Sequence, residues 1–269
     1  MRRGAAASVA PPAWRPLVRK AIRICVRLFT ETFEALPPIV EIGAYYLPGY
    51  EALCDLRPYF AGQSYLGCDI RMGPGVDRIE DAQALSFEDA SVGTLLVLDT
   101  LEHLPDPHRA VGEAHRVLRD DGLLLVSVPF NYRLHGFPTD YWRFTASGIH
   151  TLLAPFPEKL VLAVGPRVKP AFIIAVAAKT PTPRFDEGKT RFCERVSTTF
   201  GTWPARMRGH LSVLKERSRD LLGQLAGRAH LSVSVFDPSQ GGGYADDRNR
   251  EPEATEAAQP LRLPRVHRS

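Results

Sequence analysis

The sequence has few of the residues that staple a protein together or carry it through a membrane. Its four cysteines, Cys25, Cys54, Cys68 and Cys193, are scattered without a CxxC pair. That excludes a cysteine-based zinc site and a disulfide framework, and it predicts a reducing, cytoplasmic setting. No apolar run approaches the roughly 20 residues that span a bilayer. Arg19, Lys20, Arg23 and Arg27 interrupt the stretch a signal peptide would need, so a soluble protein is predicted. There is no internal repeat. What is present is ordinary for a globular domain: 269 residues, 44% hydrophobic and 24% charged. This is enough for one sizeable domain with flanking segments.

The net charge of +4 is unevenly spread. Residues 1–36 carry seven basic side chains against two acidic, residues 37–180 twelve against seventeen, and residues 181–236 ten against five. An acidic middle between basic flanks divides the chain into a basic N-terminal segment (1–36), a central domain (37–180), a basic and helical extension (181–236) and a disordered tail (237–269). In the first segment Val18, Ile22, Cys25, Val26, Phe29 and Phe33 share one face of a helix over 14–36. Arg15, Arg19, Arg23 and Arg27 repeat on another.

From residue 39 short apolar runs alternate with helical patterns. Strands are predicted at 39–42, 64–70, 76–79, 93–98, 123–128, 160–164 and 171–178, and helices at 50–59, 107–118 and 145–153. Asp120-Asp121-Gly122 stops the second of these helices. Such alternation implies an α/β fold: a doubly wound, Rossmann-like sheet, mostly parallel with an antiparallel last strand and helices on both faces. Ligands of such sheets sit beyond the carboxyl ends of the strands. The residues just past each strand are therefore the candidates for chemistry.

After the first strand stands Glu41-Ile42-Gly43-Ala44. A glycine there lets the backbone come close to a ligand, and a helix starting behind it would offer free N–H groups. The nicotinamide fingerprint G-x-G-x-x-G is missing, because Tyr45 and Tyr46 come next. A pyrophosphate therefore fits poorly, a dehydrogenase is disfavoured, and Glu41 suits a cationic ligand. Asp69 ends the second strand, 26 residues after Gly43, close to the offset at which an acid bonds ribose hydroxyls. Asp81 and Ala82 lie past the third strand and could border a purine. Asp99, Glu102 and His103 lie past the fourth. His135 and the aromatic run Asp140-Tyr141-Trp142-Arg143-Phe144 lie past the fifth. Glu102 and His103 offer two metal ligands, too few for a metal site to be predicted.

Taken in order, these stretches resemble the class I methyltransferases of the small bacterial type. The resemblance rests on Val40-Glu41-Ile42-Gly43, Asp69, Asp81, Leu85-Ser86-Phe87, Leu101-Glu102-His103-Leu104, Arg116–Gly122 and Leu124–Pro129. The run from Asp140 to Thr145 resembles a subgroup associated with cell-surface glycans and secondary metabolites. The resemblance implies S-adenosylmethionine as cofactor: Glu41 and Gly43 at its methionine end, Asp69 at the ribose, Asp81 and Ala82 at the adenine, and Asp99 on the methyl-transfer face, with Ala44, Tyr45 and Ile70 as further cofactor-binding residues. It departs at Tyr45, where the family usually has a second glycine; Gly49 could restore the turn.

If the acceptor needs deprotonation, the candidate bases are His135, His103, Tyr141 and Asp140. The expected acceptor is a small molecule or a glycan- or lipid-linked group. The alternative is a catalytically inactive binding or scaffold protein that keeps the methyltransferase fold. Nucleic acid is not expected as a partner, because the acidic middle would repel phosphates. The N-terminal helix either packs on the sheet or touches an anionic membrane surface. The acceptor atom and the oligomeric state cannot be read.

Overall fold

The structure, a computed structural model, describes residues 15–136, 138–166, 169–201 and 232–235. The expected disorder at the N-terminus, a second helix before residue 228 and the tail lie outside them.

The core of the fold is set by strands with no polar face. β1 (Ile39–Ile42), β4 (Val92–Leu98) and β7 (Phe172–Ala178) are buried along their whole length. So is β5 (Leu118–Pro129) from Gly122 onward. A strand buried on both faces belongs at the centre of a sheet covered by helices on both sides. With β2 (Tyr65–Asp69), β3 (Arg78–Ile79), β6 (Glu158–Gly165) and β8 (Ser232–Val235), the order is β3-β2-β1-β4-β5-β7-β6-β8. β3 to β5 run parallel. β7 is antiparallel to β5 and β6, and β8 is antiparallel to β6. The Rossmann-like sheet expected from the sequence is therefore present. The order reverses between β1 and β4, which puts the ligand edge beyond Ile42 and Leu98.

Two helical layers cover the sheet. On one face lie α3 (Pro107–Val117) and α4 (Ala146–Leu152). Asp106 caps α3 by accepting the Arg109 amide proton, with Pro107 at its first position, and Thr145 caps α4 in the same way. On the other face lie α1 (Arg15–Thr30) and α5 (Pro183–Gly201). Ile22, Val26, Phe29 and Phe33 are buried beside Phe185, Phe192 and Val196. Each such burial contributes roughly 1.5–3 kcal/mol before chain entropy is counted. Gly188 is in α5 because a Cβ there would come within 2.2 Å of the Phe33 ring. The divisions drawn at 36/37 and 180/181 thus cut through one shared core: charge separates these segments, but apolar packing joins them. The apolar face of α1 is occupied inside that core.

Three local expectations need correction. The helix expected over 50–59 is only α2 (Glu51–Cys54) and a 3-10 turn at Arg57–Phe60. Pro58 and the extended Asp55, whose carboxylate accepts the Arg57 amide proton, break it. Asp120-Asp121-Gly122 does not separate helix from strand. It forms a bulge inside β5, where Leu118 pairs with Val92 and Leu123 with Thr94. β8 is a strand in a segment expected to be helical, held by its pairing with β6.

Candidate active site

Every acid singled out at a strand end lies on the carboxyl edge. Glu41 pairs with Gly67 across parallel strands, so Asp69, two residues on, shares its face of the sheet. Glu41 is buried and accepts the Tyr65 hydroxyl proton. Burial pushes its carboxyl up to about 7, against the lowering effects of the Tyr65 bond and of Arg19 and Arg57. Arg19, half-buried on α1, reaches the same region. Burial works against its charge, but Asp99, Cys54, Glu41 and Glu102 outweigh that and raise its pKa.

Asp69 accepts the Arg71 amide proton, and Ile70 beside it is 66% exposed. Asp81 accepts the Gln83 amide proton at 2.9 Å, and Ala82 is buried next to it. Two adjacent strand ends thus each carry a carboxylate, with the exposed Ile70 at one and the buried Ala82 at the other.

The glycine turn differs from expectation. No helix begins directly behind Gly43. Its amide and that of Ala44 both donate to the Cys68 carbonyl, and the Tyr46 amide donates to Pro74. These groups are therefore spent within the protein. Gly43 has φ +88°, and a Cβ on it would lie 2.1 Å from Thr100 Oγ1, which in turn bonds the Ile42 and Leu98 carbonyls. The close approach this glycine permits is to Thr100. Tyr45 and Tyr46 pack over the Gly73-Pro74-Gly75 loop, where Cβ atoms would come within 2.4 and 2.6 Å of the two rings. Arg71 stacks on Tyr45 at 3.9 Å. Small residues at 73 and 75 make room for the tyrosines, and Gly49, at φ +86° with its amide donating to Glu51, turns the chain ahead of α2.

Asp99 ends β4 with φ +50°, a strained conformation for any residue but glycine and one that asparagine and aspartate tolerate best. Its amide donates to the Ser127 carbonyl, and its carboxylate accepts the buried Ser127 hydroxyl proton at 3.0 Å. Beyond it the 3-10 turn Leu101–His103 turns Glu102 fully inward. Neither carboxylate oxygen of Glu102 has a hydrogen-bond partner among the described residues. Burial raises its pKa, opposed by His135. His103 Nε2 lies 3.8 Å and His135 Nε2 3.7 Å from Glu102 Oε1, and the two rings meet edge-on at 4.6 Å.

The loop after β5 closes over this cluster. The Tyr141 and Trp142 amides donate to the Glu102 carbonyl, and the Trp142 indole donates to that of Leu104. Asp140 is gripped by Arg143 at 2.5 and 2.8 Å and accepts the His135 amide proton at 2.7 Å. The Arg143 bonds hold its carboxyl well below the usual range. The Asp140 carboxylate is thus engaged by both Arg143 and the His135 amide. Tyr141 is half-exposed, with no side-chain tie to the cluster among the described contacts. Sequence reasoning placed Glu102 and His103 at this edge but counted too few ligands for a metal site, and it gave no role to Arg143 or Arg19. The adjacent Glu102-His103 pair was the only signal, because the third member lies 32 residues further on.

Parts of the chain are similar to known proteins. A family model described as "Methyltransferase domain" matches residues 63–126. A structure from Thermotoga maritima, titled a SAM-dependent methyltransferase and possible histamine N-methyltransferase, is 21% identical. It overlaps 61% of this chain and 92% of its own, with a TM-score of 0.46. A putative methyltransferase from Haloferax volcanii, in complex with the activator Trm112, is 14% identical over 62% of this chain and 95% of its own, with a TM-score of 0.43. The methyltransferase CalH, in complex with SAH, is 18% identical over 61% and 57%, with a TM-score of 0.45. No curated protein matches. The family match spans only residues 63–126, while the sheet order and the acids on its carboxyl edge define a doubly wound, Rossmann-like α/β domain with a ligand edge beyond β1 and β4.

Proposed function

We propose that the chain methylates a small-molecule or glycan- or lipid-linked acceptor. The observation that carries this reading is Asp69: a carboxylate on the same face as Glu41, at the β2 end, beside the uncovered side chain of Ile70. The residues present fit S-adenosylmethionine. Asp69 would hold its ribose, with Ile70, Asp81 and Ala82 about its adenine. Arg19 is the partner for a carboxylate end, a role the amides of Gly43 and Ala44 cannot take. When bound, this cofactor supplies an electrophilic methyl group on a sulfonium. Asp99 and Glu102 give that edge the negative charge that suits a cation.

The protein's own part is alignment and exclusion of water. The loop over Glu102 does both, and its half-exposed Tyr141 and Trp142 offer stacking faces to a sugar or other flat apolar acceptor. An acceptor proton is handled at the Glu102–His103–His135 cluster.

Calorimetric titration of the full chain with S-adenosylmethionine tests the reading. Saturable binding is expected, weakened about 10- to 100-fold in Asp69→Ala, as loss of charge-assisted hydrogen bonds implies. No heat from folded protein, or equal affinity in the variant, rejects it.

A further inference from the structure

We propose that Glu102, His103 and His135 hold a divalent transition-metal ion. One ligand atom from each lies within 4.8 Å of the others. The separations from Glu102 Oε1, 3.7 and 3.8 Å, are too long for hydrogen bonds. They are close to the roughly 3.4 Å spacing of two ligands bonded at about 2.1 Å to one tetrahedral ion.

Three observations point the same way. Glu102 is fully buried with both oxygens unpartnered among the described residues, which a protein tolerates only if something neutralises the group. Arg19 and Arg143 sense its charge but neither bonds it. The His103 imidazole also has the outer partner of a metal-binding histidine. His103 Nδ1 donates to the Thr139 carbonyl at 2.6 Å, leaving Nε2 with its lone pair turned to Glu102. The His135 ring is placed by the Asp140–Arg143 pair, with Nδ1 3.3 Å from the carboxylate and 3.5 Å from Arg143 Nη2. Finally, Gly136 has φ +63°, and a Cβ there would touch the His103 ring at 3.0 Å, so the loop turns where the two histidines need to meet.

Two imidazoles and one carboxylate suit zinc, iron(II), cobalt or manganese, and they leave coordination positions open. The open side accepts water or an oxygen of the acceptor. This deepens the proposed function by favouring an acceptor with a coordinating oxygen, and it rests on that reading only for the acceptor, since the ion is held by this chain's residues alone.

The test is titration of chelator-stripped, full-length protein with zinc chloride alone, without cofactor, repeated with cobalt(II) while recording the visible spectrum. One equivalent should bind, and cobalt should give the intense bands of a four- or five-coordinate nitrogen and oxygen site. Glu102→Gln and His135→Asn should each weaken zinc binding roughly 100-fold or more, while His115→Asn leaves it unchanged. The idea is overturned by no binding to folded protein, or by equal affinity in His135→Asn, whose position in a loop outside the two apolar cores keeps the fold intact if Glu102→Gln does not fold. Because S-adenosylmethionine is absent, failure here is separate from failure of cofactor binding.

Discussion

Replacing Glu41 by Gln should make the protein relatively more stable at alkaline pH, and burial sets the size of the effect. The Glu41 carboxyl sits under α1 with the Tyr65 hydroxyl as its bonded partner, and its pKa is raised from 4.5 to about 7, chiefly by burial. Between those values the folded state holds a proton that the unfolded chain has released. Stability from this group is therefore fully present below about 4.5 and lost as pH rises through about 7. Integrating from pH 5 to 8.5 gives a loss of about 2.5 kcal/mol. Gln cannot titrate but keeps the shape and can still bond Tyr65. Urea unfolding followed by circular dichroism at pH 5 and 8.5 reads the difference. The variant's stability relative to the parent should rise by about 2.5 kcal/mol between the two pH values, with unchanged slopes. A constant difference would mean that the carboxyl is solvated or fully paired, and the electrostatic account of the β1 end would be wrong.

Two backbone positions give further checks. Gly43→Ala places a Cβ against Thr100 at a left-handed φ and should cost about 2–4 kcal/mol in thermal or urea unfolding, with Thr100→Ala restoring part of it. Gly73→Ala should cost about 1–3 kcal/mol because the Tyr45 ring occupies its space. In the Tyr45→Ala background the same change should be nearly neutral, and a double-mutant cycle measures that coupling.

The central sheet was legible because its strands are apolar without alternation, and α3 and α4 because Asp106-Pro107 and Thr145 mark their starts. The acids at the strand ends were legible for the same reason: once the strands are placed, Asp69, Asp81 and Asp99 must fall on one edge. What stayed hidden depended on contacts distant in sequence. The room made for Tyr45 and Tyr46 by Gly73 and Gly75 looks, in the chain alone, like a defect in a glycine turn. His135 joins Glu102 only through the fold of the loop after β5, and Arg19 comes to the edge only because α1 lies across the sheet. The apolar face of the N-terminal helix, with Phe29 and Phe33, was legible, but its partners Phe185 and Phe192 were not, because they lie far along the chain.

That junction bears on how the protein is made. Phe33, near the start, packs against Phe185 and Phe192, which leave the ribosome more than 150 residues later. Until then one side of the nascent sheet is only half roofed, with Phe29 and Phe33 facing outward as sticky surface. Completion of that side of the core therefore waits for α5. A product that stops just after β7 would hold almost every acid of the site and still clump with its neighbours before it could use them.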